Sequence, residues 1–253
     1  MSLRIPGNEA LSLENIAARL ASLEETLIYK LLDRSQFRRN QGAYEPGKSQ
    51  FLPPEPVSLF ELRLLHQEKL DAVFGRYQIP EERPFYTGLP EPRRHLGSTQ
   101  GQLRISDYDV VNVSGSILSA YSRFLDSLCV AGDDAHWGSS VEHDVICLQA
   151  LGRRIHFGGL YVAESKFLEN PEKYSVLIRE QNELGLEEAL TRPEVEKKVL
   201  DRVRLKVQSI QSISDPNLRV LVDPELVVGF FAQAIIPLTK DAEVRYLLQR
   251  PLR

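Results

Sequence analysis

The sequence predicts an all-α protein, on three observations. Apolar residues recur at steps of three and four through several long stretches, as one buried helix face requires. Many of these stretches open on a residue that can cap a helix. No pair of alternating, turn-linked segments suggests a β-hairpin. The 253 residues are expected to form one helical domain spanning 1–253.

The helices are justified in chain order. Over 12–35, Leu13, Ile16, Leu20, Leu23, Leu27 and Leu31 line one face, with Ser12 as N-cap. Residues 37–57 form a loop punctuated by Gly42, Gly47, Pro53, Pro54 and Pro56. Ser58 and Glu61 form a capping box that starts a helix over 58–77. Residues 78–106 are a second loop, with Pro80, Pro84, Pro90, Pro92 and two glycines near Ser98. Helix is expected over most of 107–130, although Val110–Val113 could be extended. After a turn at 131–139, Ser139 and Glu142 suggest a capping box for a long helix over 139–167. Two short helices follow at 171–182 and 183–190. Thr191 with Glu194 suggests another capping box, opening a helix that runs to about 212. Asp223-Pro224 starts the last helix, 224–250, which Pro237 should kink.

Composition narrows the function. The chain is 42% apolar and 26% charged, as expected of a water-soluble globular protein, and carries a net charge of −4. That charge argues against a nucleic-acid binder held by phosphate contacts. No apolar run is long enough for a membrane span, and the first residues, MSLRIPGNEA, do not read as a signal peptide. A cytoplasmic location is expected. Secretion, with a leader outside this sequence, is the alternative and would call for a protein partner. Two cysteines, Cys129 and Cys147, make neither a disulfide framework nor a zinc site, and one bridge between them is left open.

Motifs for nucleophilic, metal or nucleotide chemistry are missing: there is no G-x-S-x-G, Walker A, H-E-x-x-H or C-x-x-C. Instead, polar residues sit one turn apart in apolar helices. Thr239 with Glu243, and Arg192 with Glu196, are i, i+4 pairs, and Arg154 and Lys166 lie on the long helix. Solvent-facing charge is the plainer alternative for each. Together they suggest a cationic pocket flanked by two carboxyls.

The run CLQALGRRIHFG from Cys147 to Gly158, followed by VAESKF from Val162 to Phe167, resembles the long helix of the eukaryotic, all-helical chorismate mutases. The resemblance covers roughly residues 11–250. It includes Leu13-Glu14-Asn15-Ile16, Asp33-Arg34-Ser35, Pro80-Glu81-Glu82-Arg83-Pro84-Phe85 and Ile236-Pro237-Leu238-Thr239-Lys240 with Glu243. It implies a helical homodimer that rearranges chorismate to prephenate without a cofactor. Such a site must hold a dicarboxylate in a compact chair and stabilise charge growing on the ether oxygen. By motif, Arg154 resembles the fork for a substrate carboxylate, and Lys166 and a protonated Glu243 resemble the two donors to the ether oxygen. Glu196 resembles the partner of the substrate hydroxyl, and Thr239 a pocket hydroxyl.

Three departures from the family pattern carry expectations of their own. Ala17 stands where the family has a carboxylate-binding arginine, and Arg19 lies about 200° further round an ideal helix. Arg192 stands where the family usually has asparagine, which suggests a charge supplied from the opposite wall. Arg154 and Lys166 are twelve residues apart rather than eleven, so they are about 120° apart on an ideal helix. Both can face one pocket if a π-bulge absorbs the extra residue, and Gly158-Gly159 is the expected place. The rival reading of these departures is a family scaffold, weakened or inactive as an enzyme, that serves as a binding protein. The family's binding site for tyrosine or tryptophan, at a dimer interface, is matched by Arg76, Gly138 and Ser139. Gly75, Glu142 and Asp223 replace an arginine and two threonines there, which implies weak feedback or none.

Overall fold

The computed structural model describes residues 11–48, 57–95 and 103–252. Pro53, Pro54, Pro56, the glycines near Ser98 and the first ten residues lie outside that range. The described elements are helical: α1 (Leu13–Arg34), α2 (Leu59–Val73), α3 (Ser114–Leu128), α4 (Trp137–Phe157), α5 (Ala163–Glu169), α6 (Pro171–Arg179), α7 (Glu183–Leu190), α8 (Pro193–Gln211), α9 (Pro224–Phe230) and α10 (Ile236–Gln249). Two π-turns, Gly158–Val162 and Phe231–Ile235, join α4 to α5 and α9 to α10.

Helix α4 is the axis of the fold, packed against α1, α2, α3 and α10. Its apolar side, including Val145, Leu148, Leu151 and Ile155, is buried with Leu27, Ile28 and Leu31 of α1. A polar knot ties the same two helices together. The fully buried Arg34 meets Asp144 at 2.6 Å and donates to the Phe37 and Arg38 carbonyls. The Tyr44 and Tyr121 hydroxyls donate to the same carboxylate. A charge at such depth is tolerable only with this full set of partners.

Several local expectations hold. Ser12 accepts the Asn15 N–H, Ser58 and Glu61 form the capping box, and Asp223 caps α9 with Pro224 in its first turn. Others are corrected. Helix α2 stops at Val73 because Gly75 turns left-handed (φ +80°), the conformation that ends a helix. Helix α3 starts at Ser114, not 107, and Asp109–Val111 form a 3-10 turn. The Val113 N–H is taken by Nε2 of His156 (3.1 Å), whose burial pushes its pKa down to about 3 and keeps that nitrogen an acceptor. Helix α4 begins at Trp137, so Ser139 is inside it and caps nothing. The aspartates before it organise the start instead: Asp134 accepts the His136 N–H, and Asp133 accepts from the Trp137 indole. Thr191 does not cap α8 either; its hydroxyl donates back to the Glu187 carbonyl, and Pro193 opens the helix. At Pro237 the expected disturbance takes the form of the π-turn just upstream. Cys129 and Cys147 are both free and buried.

Candidate active site

One cavity of about 860 Å³ opens between α1, the α4–α5 segment, the start of α8 and α10. Arg154, Lys166, Arg192, Glu196, Thr239 and Glu243 all line it. Six side chains from three parts of the sequence, singled out by motif, thus share one space.

The extra residue between Arg154 and Lys166 is absorbed where the two glycines stand. The π-turn begins at Gly158, and widening the helical turn brings both cations back to one side. Glycine is required there because α10 presses against the turn. A Cβ on Gly158 would lie 2.6 Å from Cγ2 of Thr239, and one on Gly159 would lie 2.4 Å from Cβ of Ala242. The same contact therefore sets how far Thr239 and Glu243 stand from the long helix.

Arg154 is buried and only 4% exposed. One terminal nitrogen donates to the Thr239 hydroxyl at 2.8 Å, and the other reaches Glu24 at 3.4 Å. Its Nε is buried and has no partner among the described residues. Burial pushes its pKa down, opposed by the Glu24 carboxylate. The Thr239 hydroxyl in turn donates to the Ile235 carbonyl, so the hydroxyl is oriented with its lone pair towards Arg154. Lys166 Nζ donates to the Leu190 carbonyl (2.8 Å) and to Glu243 (3.1 Å). Burial raises the Glu243 pKa, while Lys166, Lys240 and Arg154 pull it down. Glu196 accepts from Lys240 Nζ at 3.0 Å.

Motif reading missed Glu24, Arg202 and Lys240. Glu24 is fully buried and takes two bonds from Arg202, at 2.9 and 3.0 Å, as well as the longer one from Arg154. A signal for it was present: Glu24 lies four residues after Leu20 and three before Leu27, on the apolar stripe of α1. Ala17 faces the cavity, and with Leu13, Ile16 and Leu20 it makes the α1 wall apolar. Arg19 points elsewhere, to Glu81 (3.3 Å) and over the Phe157 ring.

The positions matched to an effector site lie outside the lining of this cavity. Arg76 is held by Asp71 at 2.9 Å and Glu82 at 2.8 Å. At Gly75 a Cβ would fall 2.4 Å from the Gln78 amide nitrogen and 2.5 Å from the Arg94 carbonyl. Gly138 and Ser139 lie in the first turn of α4, and Glu142 pairs with Arg63 at 3.6 Å.

No sequence-family model matches the chain. Curated and solved proteins do. A chorismate mutase of Schizosaccharomyces pombe is 38% identical over 251 residues, covering 97% of this chain and 98% of that protein. The structure of a Candida albicans chorismate mutase, in complex with L-Trp, superposes with a TM-score of 0.87 at 34% identity, over 95% of this chain and 92% of that one. The chloroplast chorismate mutase of Zea mays superposes with a TM-score of 0.86 at 35% identity, over 98% of both chains. Identity at this level across nearly the whole of each chain, with the same helical architecture, places the sequence: it belongs to the eukaryotic, all-helical chorismate mutase family.

Proposed function

We propose that the protein is itself a chorismate mutase, which converts chorismate to prephenate by an intramolecular rearrangement. The C–O bond of the enolpyruvyl ether breaks as a C–C bond forms, and nothing enters or leaves. The observation that carries this reading is the Lys166–Glu243 pair, half-buried lysine to buried carboxyl, 3.1 Å apart on a cavity that also holds the Arg154 fork. Lys166 and a protonated Glu243 would donate to the ether oxygen as negative charge grows there. Arg154 would take a substrate carboxylate with its unpartnered Nε and a terminal nitrogen. Glu196 would accept from the substrate hydroxyl, and Thr239 would fix the Arg154 fork. The other reading, an inactive scaffold kept for binding, draws on the missing cation at Ala17, but it is not favoured, because the remaining polar groups still converge on one cavity.

The mechanism has a pH signature. Burial raises the Glu243 pKa, and only its acid form can donate. Turnover should therefore fall as pH rises through that pKa. Glu243→Gln keeps a donor but cannot ionise, so its pH profile should lose that limb. A variant profile identical to the wild type would remove Glu243 from this role.

Two further properties are proposed with the function. Feedback by tyrosine or tryptophan should be weak or lost, because Gly75 carries no side chain and Arg76 is committed to two carboxylates. Strong inhibition or activation at low millimolar amino acid would overturn this. The chain should act in the cytoplasm as a homodimer. Among the described residues no helix is long and apolar enough to cross a membrane. Sedimentation equilibrium should give twice the 28.7 kDa chain mass; a monomer, or recovery of the chain from the culture medium, would count against this assignment.

A further inference from the structure

Four cations line the cavity, and three already have partners. Lys166 is bonded to Glu243 and the Leu190 carbonyl, Lys240 to Glu196, and Arg154 to Thr239 and Glu24. The Arg192 side chain makes no hydrogen bond or ion pair among the described residues. Arg192 is exposed and lines the cavity together with the apolar α1 residues Leu13, Ile16, Ala17 and Leu20.

The segment that carries Arg192 is held in place. The Tyr174 hydroxyl donates to the Ala189 carbonyl at 3.3 Å, and Lys166 Nζ donates to the Leu190 carbonyl two residues before Arg192. Pro193 follows, which favours the extended backbone seen at Arg192 (φ −133°, ψ 84°). The Arg192 carbonyl accepts the Val195 and Glu196 N–H groups at 2.9 and 3.0 Å. The backbone beneath this side chain is thus tied to the lysine proposed to work on the ether oxygen.

Charge adds a second argument. Glu169, Glu194, Glu196 and Glu243 balance the four cations formally, so the cavity offers a dianion no surplus charge unless Glu243 is protonated. Without Arg192 it would be formally negative with Glu243 ionised, and two acids, Glu169 and Glu194, line it without an ion-pair partner among the described residues.

We infer that Arg192 is the second carboxylate-binding residue of this site, taking from the α8 side the substrate carboxylate that the α1 wall cannot hold. The inference rests on the chorismate mutase reading above. The planar guanidinium can grip a carboxylate with two parallel bonds, a geometry lysine cannot reproduce. The carboxylate persists unchanged from substrate to product, so the interaction is close to uniform binding and should appear mainly in KM.

The test is steady-state chorismate consumption by the full chain as wild type, Arg192→Gln, Arg192→Lys, and the double variant Ala17→Arg/Arg192→Gln. Arg192→Gln should raise KM roughly 10- to 100-fold, with kcat changed far less. Arg192→Lys should fall between, and the double variant should recover most of the loss by restoring a cation to the α1 wall. Because Arg192 is exposed, thermal unfolding should not change, and that measurement separates binding from folding. A KM within twofold of wild type in a folded Arg192→Gln protein would overturn the inference while leaving the enzyme reading intact. A wild-type protein that neither consumes chorismate nor binds a bicyclic dicarboxylate mimic of the transition state would overturn both.

Discussion

Gly159→Ala is expected to lower kcat/KM about 100-fold and to cost about 1–3 kcal/mol of stability, since one added methyl overpacks the contact and displaces reacting groups. The new Cβ would lie 2.4 Å from Cβ of Ala242 and 3.1 Å from its carbonyl carbon. Part of that obstacle is backbone, so the clash cannot be relieved by a rotamer change. Either α10 moves away or the π-turn reverts towards regular helix. The first moves Glu243, one residue from Ala242, off Lys166. The second rotates Lys166 away from Arg154. Both outcomes separate Lys166 from the groups it works with, so activity should fall while the protein still folds. The check is kcat/KM beside urea unfolding. A folded Gly159→Ala protein with wild-type kinetics would show that the approach of α10 does not set the site. Ala242→Gly in the same background removes the opposing methyl and should recover part of the loss.

Arg154→Ala should lower kcat/KM roughly 10²- to 10⁴-fold, from two charge-assisted bonds of about 1.5–3 kcal/mol each. The guanidinium is buried, and its Nε has no partner among the described residues, so a donor waits there for a ligand. The protein should still fold, because Glu24 keeps both of its bonds from Arg202. Arg154→Lys should be nearly as poor, since an ammonium can bond Thr239 or a substrate but cannot present a flat fork. Single-turnover kinetics with circular dichroism on both variants would decide it. Near-normal kinetics in Arg154→Ala would show that the carboxylate is bound elsewhere.

Much of this protein is legible from short-range chemistry. The i, i+3, i+4 stripe of α1, the Ser58–Glu61 box and the Asp223-Pro224 start depend on neighbours within a turn or two. A count of twelve residues from Arg154 to Lys166, with two adjacent glycines between, was enough to locate a π-turn that begins at Gly158. The family could be recognised from the runs around Cys147–Phe167 and Ile236–Glu243, and with it the list of side chains that share the cavity.

What tertiary structure decided is where two local choices compete or where a partner is far along the chain. Ser139 and Thr191 carry capping-box spacing and cap nothing. Asp133 and Asp134 organise the start of α4 two residues earlier, and the Thr191 hydroxyl bonds back to α7. Glu24 becomes an anchor of the site only because Arg154 and Arg202, 130 and 178 residues away, fold against it. Sequence places three cations, Arg154, Lys166 and Arg192, near one site, but it misses Lys240 and cannot say which of them are already bonded. That follows from packing, which joins Lys166 to the Leu190 carbonyl and Lys240 to Glu196, and leaves Arg192 exposed on the cavity lining. Caps, stripes and turns are settled by contacts a few residues long. Burial, pKa and the availability of a charge are settled by which distant helices touch, and those contacts fix the chemistry of the site.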